Sequence, residues 1–379
     1  MPFLGAGIDS NEDSPRRVAA RLSRDVEAAS ATPRRRGMPA RPTMRDVAAT
    51  AGVGLTTVSR VVNGDPAVVD ETAERVRQAI RELGFRRNDV ARNLRQSGTT
   101  ACIGLVIHDI ANPFYSTLTR AVEEHARAAG HLLLTGSSDG DAAREQALLE
   151  SLCSRRVDGL LIVPAGSDQR YLLHDIEAGL PVVYIDRPVE GMPADVVRAD
   201  GAAGARTGVT HLLQHGHRRI GYLGRDPSMH TAAERYRGYC EALSAWQLPV
   251  DPALVRLGLN TIEDARVAGA ELLAGADPAT ALFAGNNRMT AGAVLALQTA
   301  ERRLTTALVG FDELPFATLL QPAVTVVAHD PAELGARAAE LLFGRLEGDR
   351  SEPRDIVLQT KLIVRGSGEI RPPSSVGRT

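Results

Sequence analysis

The stretch MRDVAATAGVGLTTVSRVVN, residues 44–63, decides the fold of the N-terminal part of this chain. Apolar residues recur at helical spacing from Met44 to Ala51, and Thr43 stands before them as an N-cap. Gly52-Val53-Gly54 breaks this helix, and a second short helix is predicted from Leu55 to about Asn63. Two short helices joined by a three-residue turn predict a helix-turn-helix module.

Two further helical segments follow the pair. One is predicted from about Asp70 to Leu83, and Gly84 ends it. The other, Asn88 to Gln96, carries little apolar surface. We expect it to be unstable on its own, because so short a helix rarely overcomes its nucleation cost in water.

From Ile103 onward, apolar runs of strand length alternate with helical stretches. The predicted strands are Ile103–Ile107, His131–Thr135, Gly159–Val163, Val182–Ile185, Ile220–Leu223, Leu254–Leu257, Ala281–Ala284 and Ala307–Phe311. The predicted helices are Phe114–Ala129, Ala142–Arg155, Gln169–Glu177, Ala202–His215, Thr231–Ala245, Ile262–Ala274, Met289–Thr299 and Pro331–Leu346. This alternation predicts parallel sheets with helices on both faces. Because there are too many units for one compact sheet, we predict two doubly wound α/β halves with a ligand cleft between them.

Charge is distributed unevenly along a chain whose net charge is only −2. Residues 34–95 hold 13 arginines against seven acidic residues, so the rest of the chain is acidic. A basic segment on an acidic body is typical of a DNA-binding head joined to a sensor domain, although a solvated basic linker would give the same balance. Residues 1–37 are rich in Arg, Ala, Ser and Pro with weak periodicity and are predicted to be disordered.

Three other features limit the class of protein. The cysteines, Cys102, Cys153 and Cys240, are odd in number and far apart, which argues against a disulfide framework and favours a reducing cytoplasm. Neither a membrane-spanning apolar run nor a secretory signal is evident in the sequence. We therefore expect a cytoplasmic protein, associated with the nucleoid if it binds DNA.

The stretch 44–63 resembles the DNA-binding head of the lactose-repressor (LacI/GalR) family, whose pattern is roughly D-V-A-x-x-A-G-V-S-x-x-T-V-S-R-V-L-N. The resemblance continues to about residue 370 through Asp109–Phe114, Arg156–Gly159, His211–Ile220 and Val309–Asp312. It implies a transcriptional repressor rather than an enzyme. It also implies three partners: operator DNA, a second copy of the chain and a sugar-like effector, with no cofactor, metal or membrane.

The resemblance assigns DNA contacts one residue at a time. It assigns Leu55, Thr56 and Arg60 to base edges in the major groove. Leu55 suits a thymine methyl, Thr56 can donate or accept a hydrogen bond, and Arg60 suits a guanine. Phosphate contacts go to Thr43, Thr57, Ser59 and Asn63. The alternative is that Leu55 is a core residue and Arg60 a solvated charge.

Two positions in the head depart from the family pattern. Gly54 and Val69 stand where capping serines are usual. Glycine is a tolerable cap, and we expect Asp70 to cap the third helix in place of Val69.

The segment Asn88 to Gln96 matches the family hinge, in which two helices of a dimer fold in the minor groove. Leu94 matches the leucine that wedges between base pairs, and Asn88 and Ala91 would lie at the groove. The alternative is a plain linker.

For the cleft, the resemblance indicates Asn112, Phe114, Tyr115, Arg235 and, more weakly, Arg187 as effector contacts. Asn287 is a departure, because relatives usually carry an aspartate there that accepts hydrogen bonds from the ligand, whereas an amide both donates and accepts. The alternatives are that Phe114 belongs to the core and that Arg235 forms a surface ion pair. His211, His215 and His217 resemble a metal cluster, but the sequence supplies no further ligand beside them.

These expectations divide the chain into five parts: a disordered Arg-rich extension over 1–42, a helix-turn-helix domain over 43–87, a hinge helix and linker over 88–100, an effector-binding and dimerisation domain over 101–370, and a tail over 371–379. The large domain would consist of two subdomains, about 101–199 with 329–345, and 200–328. Met38 is a candidate for the true start. The absence of a heptad tail favours a dimer. Two other classes compete with a repressor: a periplasmic-type sugar-binding protein, and an α/β enzyme, for which no nucleophile–base pair is evident.

Overall fold

The computed structural model describes residues 42–86 and 99–373. These residues belong to two compact units, an N-terminal head and a much larger C-terminal body. Each unit is described below by itself. Within the described residues, no helix combines the length and the apolar character needed to cross a membrane.

The head contains three helices, α1 (Met44–Ala51), α2 (Leu55–Val62) and α3 (Asp70–Leu83). Thr43 caps α1 in a reciprocal capping box with Asp46, and Gly52 ends it with a φ of 65°, a value that glycine adopts at little cost. The helix-turn-helix prediction is confirmed at this level.

The head is small, and its core is correspondingly compact. Its fully enclosed side chains are Val47, Ala51, Val58, Ala73, Val76 and Ala79. The first residue of α3 is Asp70, and Val69 precedes it without a side-chain cap. The expectation that Asp70 is the cap is therefore wrong. Its carboxylate lies inside the first turn instead, where it faces the positive end of the helix dipole.

The first half of the body is a six-stranded sheet. In chain order its elements are β1 (Cys102–Ile107), α4 (Pro113–Ala128), β2 (Leu132–Ser137), α5 (Ala142–Ser154), β3 (Gly159–Ile162), α6 (Leu173–Glu177), β4 (Val182–Ile185) and β5 (Asp195–Ala199). A late strand, β11 (Asp355–Leu358), completes it, so that the strand order is β11-β5-β4-β3-β1-β2, all parallel.

The second half is another six-stranded sheet. Its elements are α7 (Gly201–Gln214), β6 (Ile220–Leu223), α8 (His230–Ala245), β7 (Val255–Arg256), α9 (Ile262–Leu273), β8 (Ala281–Ala284), α10 (Asn287–Thr299), β9 (Ala307–Phe311), β10 (Thr325–Ala328) and β12 (Lys361–Ile363). The strand order is β12-β10-β9-β8-β6-β7. Since β12 pairs antiparallel with β10, this sheet is mixed, and the expectation of purely parallel sheets is wrong at this edge.

The chain passes between the halves three times. It leaves the first sheet after β5 and returns after β10 to form α11 (Pro331–Leu346), which packs against α4. It then runs through β11 to β12 and so crosses once more. Three crossings near residues 200, 329 and 360 allow the halves to turn about the connecting segments.

Most predicted elements agree with the structure to within two residues, and helix Pro331–Leu346 is confirmed at both ends. Four strands, β5 and β10 to β12, were not predicted. Two of the four, β11 and β12, are half-exposed edge strands, although residues 356–358 and 362–363 are short apolar runs. The helix predicted over Gln169–Glu177 is a 3₁₀ turn followed by the five-residue α6. The strand predicted over Leu254–Leu257 shortens to β7, because Leu254 closes a 3₁₀ turn.

Candidate functional site

Helix α2 presents one side to solvent and the other to the head core. Val58 is fully buried, whereas Leu55 is 46% exposed and Thr56, Arg60 and Asn63 are exposed. The alternative that Leu55 is a core residue is therefore wrong. Thr57 and Ser59 are half-buried on the flanks of the exposed face. A helix with this exposure can lie in a groove without disturbing the core beneath it.

Arg60 is held at the end of α2 by a carboxylate. Its Nε donates to Asp65 Oδ2 at 2.8 Å, and the pKa of Asp65 is lowered by this bond and by the N–H of Ala67. A pair this exposed adds little stability, but it uses only one edge of the guanidinium. Within residues 42–86, no other hydrogen bond of the guanidinium is recorded, so the terminal nitrogens can meet an outside acceptor.

The remaining predicted DNA contacts are residues of the head, which the structure describes, and residues of the hinge. Thr43 is exposed, and its hydroxyl donates to Asp46 at 2.7 Å. The Asn63 amide donates to Ser59 Oγ at 3.4 Å. The hinge residues Asn88, Ala91 and Leu94 lie outside the described residues, so their roles stay predictions.

The body contains a cleft, open to solvent, between its two sheets. All six effector residues predicted from the sequence line it: Asn112, Phe114, Tyr115, Arg187, Arg235 and Asn287. They follow the carboxyl ends of β1, β4, β6 and β8, which is the edge where open parallel sheets form ligand sites. The structure brings all six residues to one cleft, and their contact with a ligand stays a prediction.

Three polar contacts bridge the cleft from one half to the other. The Asn287 amide donates to Asn112 Oδ1 at 2.8 Å, and Arg225 Nη1 donates to His108 Nε2 at 2.8 Å. Arg288 forms an ion pair with Asp109. Because one member of each pair follows β1 and the other belongs to the second half, these contacts hold the halves together in a closed arrangement.

Arg235 lies at the floor of the cleft and is 8% exposed. Its two terminal nitrogens donate to the Asp312 carboxylate at 3.0 and 3.2 Å, and Nη1 also donates to the Gly285 carbonyl at 2.7 Å. The guanidinium lies over the Phe311 ring, 3.9 Å from its centroid. The alternative of a surface ion pair is therefore wrong in one respect, since the pair exists but is buried. A bidentate pair of this kind is rigid and oriented.

The aromatic side of the cleft comes from α4. Asn112 caps this helix by accepting from the Phe114 N–H. Tyr115 is buried, whereas Phe114 is half-buried and packs edge-on against Tyr115 and His329, with ring centroids 4.9 and 5.4 Å apart. Phe114 thus belongs partly to the core and partly to the cleft, so the two alternatives for it are not exclusive.

Sequence reasoning missed most of the charged residues of the cleft. Arg225, Arg288, Asp109, Asp186 and Asp312 line it, together with His108 and Asn286. A signal was available, because each charged residue stands within four residues of the end of a buried strand. The three histidines considered as a metal cluster have protein partners: His211 contacts Glu369, His215 the His211 carbonyl, and His217 both Thr280 and the Ile370 carbonyl. Among the residues that the structure describes, no group of three or more His, Cys, Asp or Glu could hold a metal ion.

Comparison with family models matches both units. Residues 43–88 match the model described as "Bacterial regulatory proteins, lacI family". Residues 100–365 match that described as "Periplasmic binding proteins and sugar binding domain of LacI family". Together the two matches cover most of the chain.

Individual proteins show the same likeness over nearly their full length. The repressor PurR of Pasteurella multocida is 32% identical over 335 residues, which are 87% of this chain and 99% of the relative. A solved complex of the regulator CelR with cellobiose is 34% identical, covers 86% of this chain and all of that one, and gives a TM-score of 0.64. The lac repressor dimer bound to operator and the anti-inducer ONPF is 25% identical, covers 86% and 99%, and gives a TM-score of 0.73.

Proposed function

This chain belongs to the LacI family and is a DNA-binding transcriptional repressor with an effector domain rather than an enzyme, and on that premise we propose that it binds a palindromic operator as a dimer under the control of a small metabolite in its cleft. The observation that carries the proposal is that all six predicted effector residues line one polar cavity between the halves of the body. Polar groups that converge beside aromatic rings in a cleft are typical of small-molecule sites.

On the DNA side, Leu55, Thr56 and Arg60 would read base edges, and Thr43, Thr57, Ser59 and Asn63 would contact phosphates. The exposed face of α2 supports this assignment, as does the unused side of the Arg60 guanidinium. Asn88, Ala91 and Leu94 would complete the contact in the minor groove, on the sequence pattern alone. Binding of this kind would bring the protein to the nucleoid.

Control of operator binding would come from closure of the cleft. A ligand that contacts Asn112, Phe114, Tyr115 and Arg187 on one side and Arg235 and Asn287 on the other binds some closure angles better than others. Only such differential affinity can shift a population of conformations. The three bridging contacts would be exchanged for ligand contacts, so that the ligand sets the angle.

Dimerisation is supported by exposed apolar side chains on the second half of the body. Val267 on α9 and Leu295 on α10 are both exposed on helices that pack against each other, and Phe316 and Leu319 are 75% exposed in the loop after β9. Exposed apolar residues mark an interface where they form one contiguous patch, which is what we propose for these side chains. The lac repressor structure similar to this chain is a dimer on its operator.

The test begins with selection of an operator from random duplex DNA, followed by a thermal-shift screen of sugars, polyols and nucleobases. Operator titration with and without a stabilising compound then follows, on the wild type and on Arg235→Ala. We expect the variant to lose the response, because Asp312 would be left unpaired in the cleft wall. The control is Arg170→Ala, in the turn before α6, where the exposed Arg170 pairs with Asp168. A ligand response in Arg235→Ala equal to that of wild type would place the effector elsewhere.

A further inference from the structure

The walls of the cleft carry more positive than negative charge. Four arginines line it, Arg187, Arg225, Arg235 and Arg288, against three aspartates, Asp109, Asp186 and Asp312. Arg288 pairs with Asp109, Arg235 with Asp312 and, at 3.4 Å, Arg187 with Asp186. One guanidinium in the lining is left without a carboxylate.

That guanidinium is Arg225, which follows β6 in the second half. Its hydrogen bonds go to neutral groups, to His108 Nε2 at 2.8 Å and to Asn260 Oδ1 at 3.4 Å. Its Nε is buried with no hydrogen-bond partner. Within residues 42–86 and 99–373, no carboxylate lies within 4 Å of it. The pKa of Arg225 is lowered, chiefly by burial and further by the neighbouring Arg187 and Arg288.

The contact with His108 is a weak substitute for a counter-ion. Burial and the nearby Arg225 lower the pKa of His108, so the ring is neutral near pH 7. Because Nε2 accepts from Arg225, the proton lies on Nδ1, and that atom is buried without a partner. A neutral ring forms a weaker hydrogen bond with a guanidinium than a carboxylate does. An anion that entered the cleft would therefore form a stronger bond with Arg225 than the His108 bond that it replaced.

A second donor of the same kind lies nearby. Arg187 is 6% exposed, and its Nε also has no hydrogen-bond partner. The only carboxylate paired with it among the described residues is that of its chain neighbour Asp186, through one 3.4 Å contact. Two guanidinium groups, Arg187 buried and Arg225 half-buried, each with a buried and unused Nε–H, thus border one cleft from opposite halves of the body.

We propose that the effector of this protein carries one negatively charged group, a carboxylate or a phosphate, that binds between Arg225 and Arg187. This inference rests on the proposed function, since it names the class of ligand that the cleft would take. The charge imbalance of one matches a single anionic group better than an uncharged sugar, which would leave Arg225 uncompensated in a closed site. The neutral Asn287 agrees with it, because an aspartate there would repel such a ligand.

The bridging geometry also gives the anion a role in closure. Arg225 belongs to the second half and Arg187 to the first, so an anion held by both would join the halves in place of the His108 contact. A neutral sugar could fill the same space without this link. The anionic group would therefore be the part of the ligand that sets the closure angle.

The experiment compares matched pairs on the full chain: D-glucuronate with D-glucose, D-galacturonate with D-galactose, D-gluconate with D-glucitol, and ribose 5-phosphate with ribose. Thermal shift at about 10 mM, enough to occupy a millimolar site, and calorimetric titration are run on three proteins. These are the wild type, Arg225→Gln, which removes the charge but keeps an amide donor, and the exposed control Arg170→Gln.

We expect at least one anion to bind the wild type and the control about tenfold or more tightly than its neutral partner, and Arg225→Gln to lose most of that difference. The carboxylate and phosphate arms tell which anion the site prefers. Stabilisation by neutral members alone would overturn the inference and leave the proposed function intact. So would no stabilisation by any of the anions, or equal weakening of both members of a pair by Arg225→Gln. An anion that binds through Arg225 without changing operator affinity would support this inference and contradict the proposed control of DNA binding.

Discussion

In the head, the predicted DNA contacts that the structure describes come from one continuous stretch, residues 43–63, and face outward from a small apolar core. In the body, the cleft is lined from the ends of five strands and its charged groups are buried or half-buried. The head binds by exposing side chains that are ready to meet a partner. The cleft instead pairs its three aspartates with three of its four arginines, so a ligand has to replace contacts that already exist everywhere except at Arg225.

The head and the body should also lose stability differently when residues are substituted. A head with five or six enclosed small side chains has little stability to lose, whereas each half of the body has a full sheet and its helices. A ligand site made of paired buried charges is specific, but it depends on the fold of the whole body. The variants below test this contrast.

The largest effect is expected from Val76→Asp, which places a carboxylate in the core of the head. Val76 is fully buried in a cluster of apolar side chains. An unpaired buried charge costs roughly 4 kcal/mol or more, about the whole stability of so small a unit. We expect operator binding to be lost while the melting temperature of the body is unchanged, in calorimetry and anisotropy titration. Glu71→Gln, on the exposed side of the same helix, is the control; concerted melting of both units in the variant would contradict independent stability.

The next effect is a pH dependence confined to the body. Glu145 is buried on α5, where it accepts from the Ala165 N–H at 2.5 Å and the Gln169 amide at 2.6 Å. Burial outweighs these bonds and raises the pKa of Glu145 to about 7, from an ordinary value near 4.5. The folded state therefore holds the proton more tightly than the unfolded state does. This group alone should therefore lower stability by up to about 3 kcal/mol as pH rises from about 4.5 through about 7. The histidines of the body whose pKa is lowered, among them His217 and His329, contribute a slope of the opposite sign.

Glu145→Gln should flatten that slope, because an amide does not titrate. Urea unfolding of the body at pH 5, 6, 7 and 8 measures it, and Glu150→Gln, an exposed position on the same helix, should keep the wild-type slope. The head core has no such group, so its unfolding should follow a different pH profile. If Glu145→Gln kept the full slope, another buried group of the body would be responsible.

Arg60→Ala should cost about 1–3 kcal/mol on the selected operator and relax the preference at one position in each half-site. The expected reason is loss of a forked contact to guanine by the side of the guanidinium that Asp65 does not use. Competition titrations against single-base variants of the operator measure it. Asp65→Ala should cost less, since it only frees an exposed side chain that Asp65 orients. Equal weakening of Arg60→Ala on operator and random DNA would reduce Arg60 to a phosphate contact.

The contrast between the two regions also explains what the sequence could predict. The head is built from local signals, helical spacing, a capping threonine and two glycines, and its exposed face follows directly from them. Helix α11 was predicted at both ends from its periodicity, and a local signal also marks its start, where Asp330 caps it and Pro331 is its first residue. Strands β11 and β12 were missed although each contains a short apolar run; what no local pattern encodes is their pairing with the distant strands β5 and β10.

In the cleft, likewise, the pairing of individual residues could not be predicted from local sequence patterns. The family pattern indicated six of its lining residues, but it did not indicate that Arg225 and His108 meet across 117 positions of sequence. The pairing of Arg235 with Asp312 was not foreseen either, although Asp312 ends one of the quoted family segments. Charge balance is a property of the assembled lining, so it could only be counted once the structure had brought these residues together.

The smallest effect on the stability of the ligand-free protein is expected from Asn287→Asp, which changes the charge of the cleft and leaves the head untouched. The change removes the amide that donates to Asn112 Oδ1, but Asn112 can turn its own amide, whose nitrogen already lies 3.5 Å from Asn287 Oδ1, to donate to the new carboxylate. We therefore expect the stability of the body to change by less than about 1 kcal/mol.

Ligand binding to this variant should respond more strongly than stability does, because the added charge offsets the excess that Arg225 brings to the cleft. Anionic members of the sugar pairs should bind about tenfold more weakly than to wild type, and neutral members as well or better. Calorimetric titration of both members of a pair measures this, and operator affinity without ligand should stay within about threefold, since the head is untouched. Tighter binding of the anion by Asn287→Asp would mean that the amide at this position, rather than the balance of charge around it, decides which ligand the cleft accepts.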